Sequence, residues 1–265
     1  MPRDRWTERE VVLERYARSA SRGTTIYEFR QPERDWIAYA LDRIGWDPAW
    51  TAVDAGCGLG AYFPALRHRV ADGRLIGLDL TLAELRETAA HHPGVPVVNA
   101  DVQAVPMRDA SADVVVCAHM LYHVPDISAA LREFRRLLRP GGTLLAIYDS
   151  EVDDQIELDE LFMACGGTVP LNKLTNRFSL ESAPAFLEAA FSDVVLHTER
   201  PAMLVPEADP VIDEIDGLRA VAEAHLAPDL TWEEMLGRAA ALVEGVITRR
   251  GVFRISEHKG VFVCQ

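Results

Sequence analysis

Between residue 51 and about residue 148, short apolar runs alternate with segments whose apolar positions recur at helical spacing, the pattern of strand and helix units that feed a parallel sheet. The runs at 51–55, 75–79, 95–99, 113–118 and 143–148 predict strands. Between the last two, Ile127, Ala130, Leu131, Phe134, Leu137 and Leu138 fall on one helical face. Asp126 is placed to cap that helix, and Arg135, Arg136 and Arg139 crowd its last turn, where cations suit the dipole. Pro140, Gly141 and Gly142 then forbid continuation.

Outside this stretch the pattern is looser. Helices are expected over 7–19 and 32–44, joined by a polar turn at 21–25, as a cover ahead of the sheet. The acidic segment holding Asp149, Glu151, Asp153, Asp154, Glu157, Asp159 and Glu160 reads as a solvated helix face in preference to a metal site. A capped helix at 179–191 and a strand at 193–198 follow, then two helical patterns within 207–250. The runs 252–255 and 260–264 look like a closing hairpin.

Composition narrows the class. With 265 residues, 49% hydrophobic and 26% charged, the chain supports a sizeable core and fits one α/β unit with a helical appendage. Lys and Arg total 27 against 41 Asp and Glu, so the formal charge is −14 and a phosphate backbone would be repelled; no nucleic-acid partner is expected. The first residues lack the features of a secretory signal, and no run of about twenty apolar residues occurs, so no membrane segment and a cytoplasmic location are expected. Cys57, Cys117, Cys165 and Cys264 lie far apart without metal-ligand spacing and read as reduced; Cys57 and Cys117 read as small apolar fillers.

The chemistry is concentrated in Val53-Asp54-Ala55-Gly56-Cys57-Gly58-Leu59-Gly60, an apolar strand entering glycines and then a helix at 61–70. Glycines suit a tight turn that lets backbone approach a ligand. The same residues satisfy the dinucleotide form GxGxx(G/A), with Ala61 last. Asp79, twenty-one residues after Gly58, ends the second strand, where a carboxylate can accept both hydroxyls of a ribose. Asp101 with Val102 follows the third strand, placed to take an adenine amino group and pack on its ring. The fourth strand opens into His119-Met-Leu-Tyr122-His123.

Together these residues resemble the class I S-adenosylmethionine-dependent methyltransferases, in the small-molecule branch related to ubiquinone and menaquinone C-methyltransferases. The likeness rests on Asp54 to Gly60, Asp79, Asn99-Ala-Asp101-Val102, His119 to His123 and Arg139 to Gly142, and covers about residues 51–148 closely. It implies a Rossmann-like α/β fold with a seven-stranded, mostly parallel sheet whose last strand is antiparallel. The strands near 193 and 260 would be the sixth and seventh. The whole would be a single domain over 1–265, with a cover at 1–50, a cofactor-binding core at 51–148 and a C-terminal half at 149–265 carrying a substrate lid at about 199–250.

The resemblance further implies S-adenosyl-L-methionine as cofactor, held by Asp54, Ala55, Gly56, Gly58, Asp79, Leu80, Asp101, Val102 and Ala118, with Tyr16 and Tyr27 closing over it or serving as aromatic staples. The acceptor would be an oxygen, nitrogen or carbon of a small metabolite. His119 and His123 are candidate bases because imidazole titrates near neutral pH; they would share a face if the chain turned helical after Ala118. Alternatively they bond backbone and pack beneath the cofactor. Tyr122 would orient the acceptor or fill the wall. Met203, Leu204, Val205, Leu218, Leu226, Trp232, Met235 and Leu236 would roof an apolar pocket or form plain core. No metal is implied. An NAD(P)-dependent oxidoreductase, a non-catalytic cofactor-binding protein, and methylation of protein or transfer RNA remain as alternatives.

Overall fold

Strands buried on both faces read as continuous apolar runs, and the side chains of such a strand alternate between two cores. That is the arrangement in the computed structural model, which describes residues 26–175 and 177–265. Val53 and Ala55, Val115 and Cys117, and Leu144 and Ala146 join one core; Ala52, Val114 and Val116, and Leu145 and Ile147 join the other.

In chain order the elements are β1 (Arg30–Gln31), α1 (Trp36–Leu41), β2 (Thr51–Ala55), α2 (Phe63–Arg69), β3 (Arg74–Asp79), α3 (Leu82–His91), β4 (Val97–Asn99), β5 (Ala112–Ala118), α4 (Ile127–Leu137), β6 (Leu138–Asp149), α5 (Ile156–Ala164), α6 (Leu171–Thr175), α7 (Ala183–Ala190), β7 (Val194–Glu199), β8 (Ala202–Val205), α8 (Asp209–Asp216), α9 (Arg219–Ala222), α10 (Trp232–Arg250), β9 (Phe253–Ser256) and β10 (Lys259–Cys264). They fall into two compact units. The larger contains Asp35–Tyr148, Phe178–Thr198 and Gly260–Gln265; the other contains Asp149–Arg177, Glu199–Lys259 and, among the described residues, those before Asp35.

The larger unit is built on a seven-stranded sheet of order β4-β3-β2-β5-β6-β10-β7, mostly parallel with one antiparallel strand. Apolar residues of α4 and α7 cover one face, and those of α1, α2 and α3 the other. The expected cap is present: Asp126 accepts from the Ala129 N–H at 2.9 Å. Helix α4 stops at Leu137, one residue earlier than the apolar face suggests, and β6 begins at once. Its register against β5 jumps from Ala112↔Leu138 to Val114↔Thr143, so Pro140 to Gly142 form an irregularity inside a long strand. Arg139 consequently lies outside the helix and pairs with Asp113.

The second unit has its own three-stranded sheet, β1-β8-β9, with β8 antiparallel to both neighbours. The long helix α10 starts at a capping box between Thr231 and Glu234 and ends at Gly251 in the left-handed region. Met203, Val205, Leu218, Trp232 and Met235 are buried, Leu226 and Leu236 half-buried, and Leu204 exposed. No helix among the described residues is long and apolar enough to cross a membrane.

Three local expectations are corrected. The runs near 252 and 260 do not form a hairpin: β9 pairs with β8, whereas β10 joins the seven-stranded sheet. The helix expected over 32–44 is limited to α1, which starts after the Asp35 cap; that expected over 7–19 lies outside the described residues. The acidic segment is not a solvated helix face, because much of it binds residues about a hundred positions later in the chain. Glu157 accepts from the Ser256 N–H and hydroxyl at 2.8 and 2.6 Å. Asp154 accepts from the His258 N–H at 2.7 Å, and Asp153 meets the His258 ring at 2.6 Å and pairs with Arg200. Lys259 reaches Asp149 at 2.9 Å and the buried Glu257 at 3.2 Å, and Arg30 grips Glu257 through two bonds of 2.5 and 2.8 Å.

Removing one partner from a buried charge cluster strands the others, at a cost of about 3–5 kcal/mol, whereas an exposed pair contributes about 0–1 kcal/mol. Lys259→Ala is therefore expected to lower the urea unfolding midpoint strongly. Arg132→Ala, which removes the exposed pair with Asp126 at 3.9 Å, should leave the midpoint nearly unchanged.

Candidate functional site

In the seven-stranded sheet the chain runs outward from β2 to β3 and β4 on one side and from β5 to β6 on the other, so the order reverses between β2 and β5. A crevice outside the carboxyl ends of such a pair is where open α/β sheets bind ligands. Asp54 and Ala55 end β2, Asp79 ends β3 and Ala118 ends β5.

Strand β2 ends in Asp54 and Ala55, and the following turn folds back over the end of β3. The N–H groups of Gly56 and Cys57 both donate to Leu78 O, at 2.8 and 2.9 Å. Gly56 adopts φ +73°, and a Cβ there would sit 2.7 Å from Met120 Cβ. Glycine is thus required twice, by conformation and by the approach of the loop after β5. Gly58, at φ +48°, donates its N–H to Asp79 Oδ2 at 2.9 Å, while Asp79 Oδ1 accepts from the Thr81 N–H at 2.8 Å. A carboxylate offers about four acceptor positions. Two remain on Asp79 for a ligand hydroxyl pair.

The electrostatics of this turn are one-signed. Asp54 is buried, and its Oδ2 has no hydrogen-bond partner among the described residues; burial, then the charge of Asp79, pushes its carboxyl up to about 7. Glu84, in the first turn of α3, is pushed up to about 7 by burial and then by Asp79 and Glu87. Among the described residues, the charges acting on both groups are negative. Burial also raises the Cys57 and Cys117 thiols far above their ordinary range and keeps them neutral. All four cysteines are free and buried.

Beyond β4, both carboxylate oxygens of Asp101 accept from the Gln103 side-chain amide at 3.0 Å, and Gln103 Oε1 takes the Asp126 N–H at 3.0 Å. Asp101 is thereby held at the surface, and Val102 is buried with the core. Leu80, directly after Asp79, is 46% exposed.

Past Ala118 the chain does not turn α-helical. His119 adopts φ +53°, its N–H donating to Ile147 O at 3.0 Å, and only a short 3₁₀ turn forms at Leu121–His123. The two histidines therefore share no continuous helix. Tyr148, fully buried at the end of β6, organises the loop: its hydroxyl accepts from the Leu121 N–H at 3.0 Å, and its ring meets those of His119 and Tyr122 edge-on at 6.0 and 6.2 Å. The Tyr122 and His123 rings lie 4.5 Å apart. Tyr27 belongs to the second unit, where its hydroxyl reaches Glu214 at 3.4 Å and Arg30 lies over its ring. Tyr16 lies outside the described residues.

Sequence reasoning missed Tyr148, Glu84 and Thr88, whose hydroxyl donates to Gly58 O at 2.6 Å. The available signal was the spacing of Glu84 and Thr88, four apart on the helix that opens after Asp79.

A family model described as a methyltransferase domain matches residues 53–146. This stretch of the chain is similar to a methyltransferase domain. It is 36% identical over 111 residues to a 2-phytyl-1,4-naphtoquinone methyltransferase of Thermosynechococcus vestitus, covering 40% of this chain and 49% of the relative. A demethylmenaquinone methyltransferase of Staphylococcus aureus is 29% identical over 144 residues, covering 53% and 59%. The chain spans between 34% and 59% of the length of these and a further relative it matches. Among solved structures, a chain of Anabaena variabilis provisionally assigned as a methyltransferase of an antibiotic biosynthesis pathway superposes with TM-score 0.61 at 18% identity, covering 87% of this chain and 96% of that one, a likeness of fold.

The turn fits the cofactor that the sequence resemblance implies. A ligand carrying an ammonium, a sulfonium and ribose hydroxyls would meet a partnerless buried carboxylate oxygen and the free acceptor positions of Asp79. A pyrophosphate would meet repulsion of about 3 kcal/mol per pair of unit charges roughly 6 Å apart at an effective dielectric near 20.

Tyr148→Phe leaves the buried Leu121 N–H without its acceptor, an expected cost of about 1–3 kcal/mol. Hydrogen exchange should accelerate at Leu121 in this variant and stay unchanged at Val53; equal protection at Leu121 would show that the hydroxyl does not hold the loop.

Proposed function

We propose that this chain is an S-adenosylmethionine-dependent methyltransferase acting on an oxygen, nitrogen or carbon of a small apolar or aromatic metabolite, with S-adenosylhomocysteine as product. The single observation that carries this reading is the anionic glycine turn, with a buried, unpartnered Asp54 oxygen beside Asp79. Support comes also from the match over 53–146 and from the relatives named for methylating naphthoquinone and menaquinone.

When bound, S-adenosylmethionine supplies a methyl group on a sulfonium leaving group, transferred in line to a nucleophile. The chain's contribution is then mainly alignment, worth up to about 7–11 kcal/mol where near-attack geometry is reached. Asp54 and the backbone of Ala55, Gly56 and Gly58 hold the amino-acid end, Asp79 the ribose, and Leu80, Asp101 and Val102 the adenine, with Ala118 on the wall. His119 and His123 stand ready to take the proton an acceptor hydroxyl, amine or carbon acid would lose, and Tyr122 orients that acceptor. The net charge of −14 favours a small molecule over nucleic acid, and we assign the activity to the cytoplasm.

Calorimetric titration with S-adenosylmethionine, S-adenosylhomocysteine and NAD tests the reading. Both adenosyl ligands should bind at micromolar concentration and NAD should not; binding of NAD alone would remove the proposal.

A further inference from the structure

Glu84 has no task in the function proposed above, yet it belongs to the same turn. It is half-buried, and its Oε2 lies 3.9 Å from the point where a side chain on Gly58 would begin. Thr88, one helical turn further along α3, holds Gly58 O. The carboxylate is therefore carried on a rigid element tied to the glycine backbone. The independent observation at this turn is the buried Asp54 Oδ2, without a partner. Three carboxylates thus converge on one turn, and the buried one lacks what a cation would supply.

We propose that Glu84 discriminates ligands by charge: with Asp54 and Asp79 it favours the cationic methyl donor over the neutral product, so that transfer itself loosens the ligand. This rests on the S-adenosylmethionine reading. In the transfer the carbon–sulfur bond breaks with its electron pair staying on sulfur, while the acceptor's pair forms the new bond and the acceptor gives up its proton to a base or to water. The ligand's net charge falls from +1 to 0. One of the attractions holding it is lost in the same step.

Among the described residues, the groups acting on the Asp54 and Glu84 carboxyls are Asp79 at the end of β3, Glu87 on the same helix as Glu84, and the neutral thiols of Cys57 and Cys117. Both carboxyls are pushed up to about 7, so both are more protonated at lower pH, and a cation beside them favours the ionised forms. Donor binding then releases protons, and donor affinity rises with pH across about 6 to 8; product affinity rises less because the sulfonium charge is gone.

The test is isothermal titration of the full chain with S-adenosylmethionine and separately with S-adenosylhomocysteine, at about pH 6 and about pH 8, in buffers of different ionisation enthalpy. In the unmodified chain the donor-to-product affinity ratio should rise about fivefold to tenfold from the lower to the higher pH, with more protons released by the donor. Glu84→Gln should flatten most of that rise while keeping product affinity within about twofold. A ratio equal at both pH values, equal proton release by the two ligands, or a Glu84→Gln ratio that follows the parent overturns the inference. If neither ligand binds at either pH, the cofactor reading falls and this inference falls with it. If Glu84→Gln does not fold, Glu84→Ala serves as the second variant: proton release equal to that of the unmodified chain would assign the protons to Asp54 and overturn the inference, and a smaller release supports it.

Discussion

The site depends on negative charge that nothing among the described residues neutralises. Strand β2 is buried on both faces, so the carboxylate at its end emerges into a place with little water. Asp79 arrives beside it because β3 pairs with β2 in register, Asp54 opposite Gly77 and Ala55 opposite Leu78. Burial without a partner costs a carboxylate several kcal/mol unless it takes a proton or meets a cation. The free protein lowers that cost by raising the affinity of Asp54 for a proton. A cationic ligand would lower it by pairing.

The glycine turn makes this tolerable. With no side chain at Gly56 or Gly58, backbone N–H groups can reach Leu78 O and the Asp79 carboxylate, and the Met120 loop can close against Gly56. The same topology carries many unrelated chemistries, so the fold by itself argues for no particular ligand. The sign of the charge at the turn does. A dinucleotide site and a sulfonium site share a glycine-rich turn and an acid after the second strand, but a pyrophosphate would find no counter-charge at this turn among the described residues.

Local chemistry was readable from sequence where cause and effect lie close together in the chain. Asp54, Gly56, Gly58 and Asp79 belong to adjacent strand ends, and the apolar runs that predict β2, β3 and β5 are the residues that fill the two cores. The Asp126 cap needs only three residues. What escaped was set by partners far along the chain: Glu157 and Asp154 look like a solvated acidic run until Ser256 and His258 bind them, and the last two strands look like a hairpin until each enters a different sheet. Glu84 and Thr88 escaped for another reason. A glutamate and a threonine in a helix are ordinary residues, and only the position of the Gly58 backbone gives them a role.

Asp54 is a buried carboxyl whose Oδ2 has no partner among the described residues, and a cationic adenosyl ligand is expected to ionise it. The most direct measurement is a carboxyl-carbon NMR titration of Asp54, assigned through an Asp54→Asn variant, with and without S-adenosylmethionine. Titration near pH 7 is expected in the free chain, where Asp54 sits at about 7, with a fall of about one unit or more on binding. An Asp54 that titrates in the ordinary carboxylate range in the free chain, or that does not move when the ligand binds, would contradict this expectation.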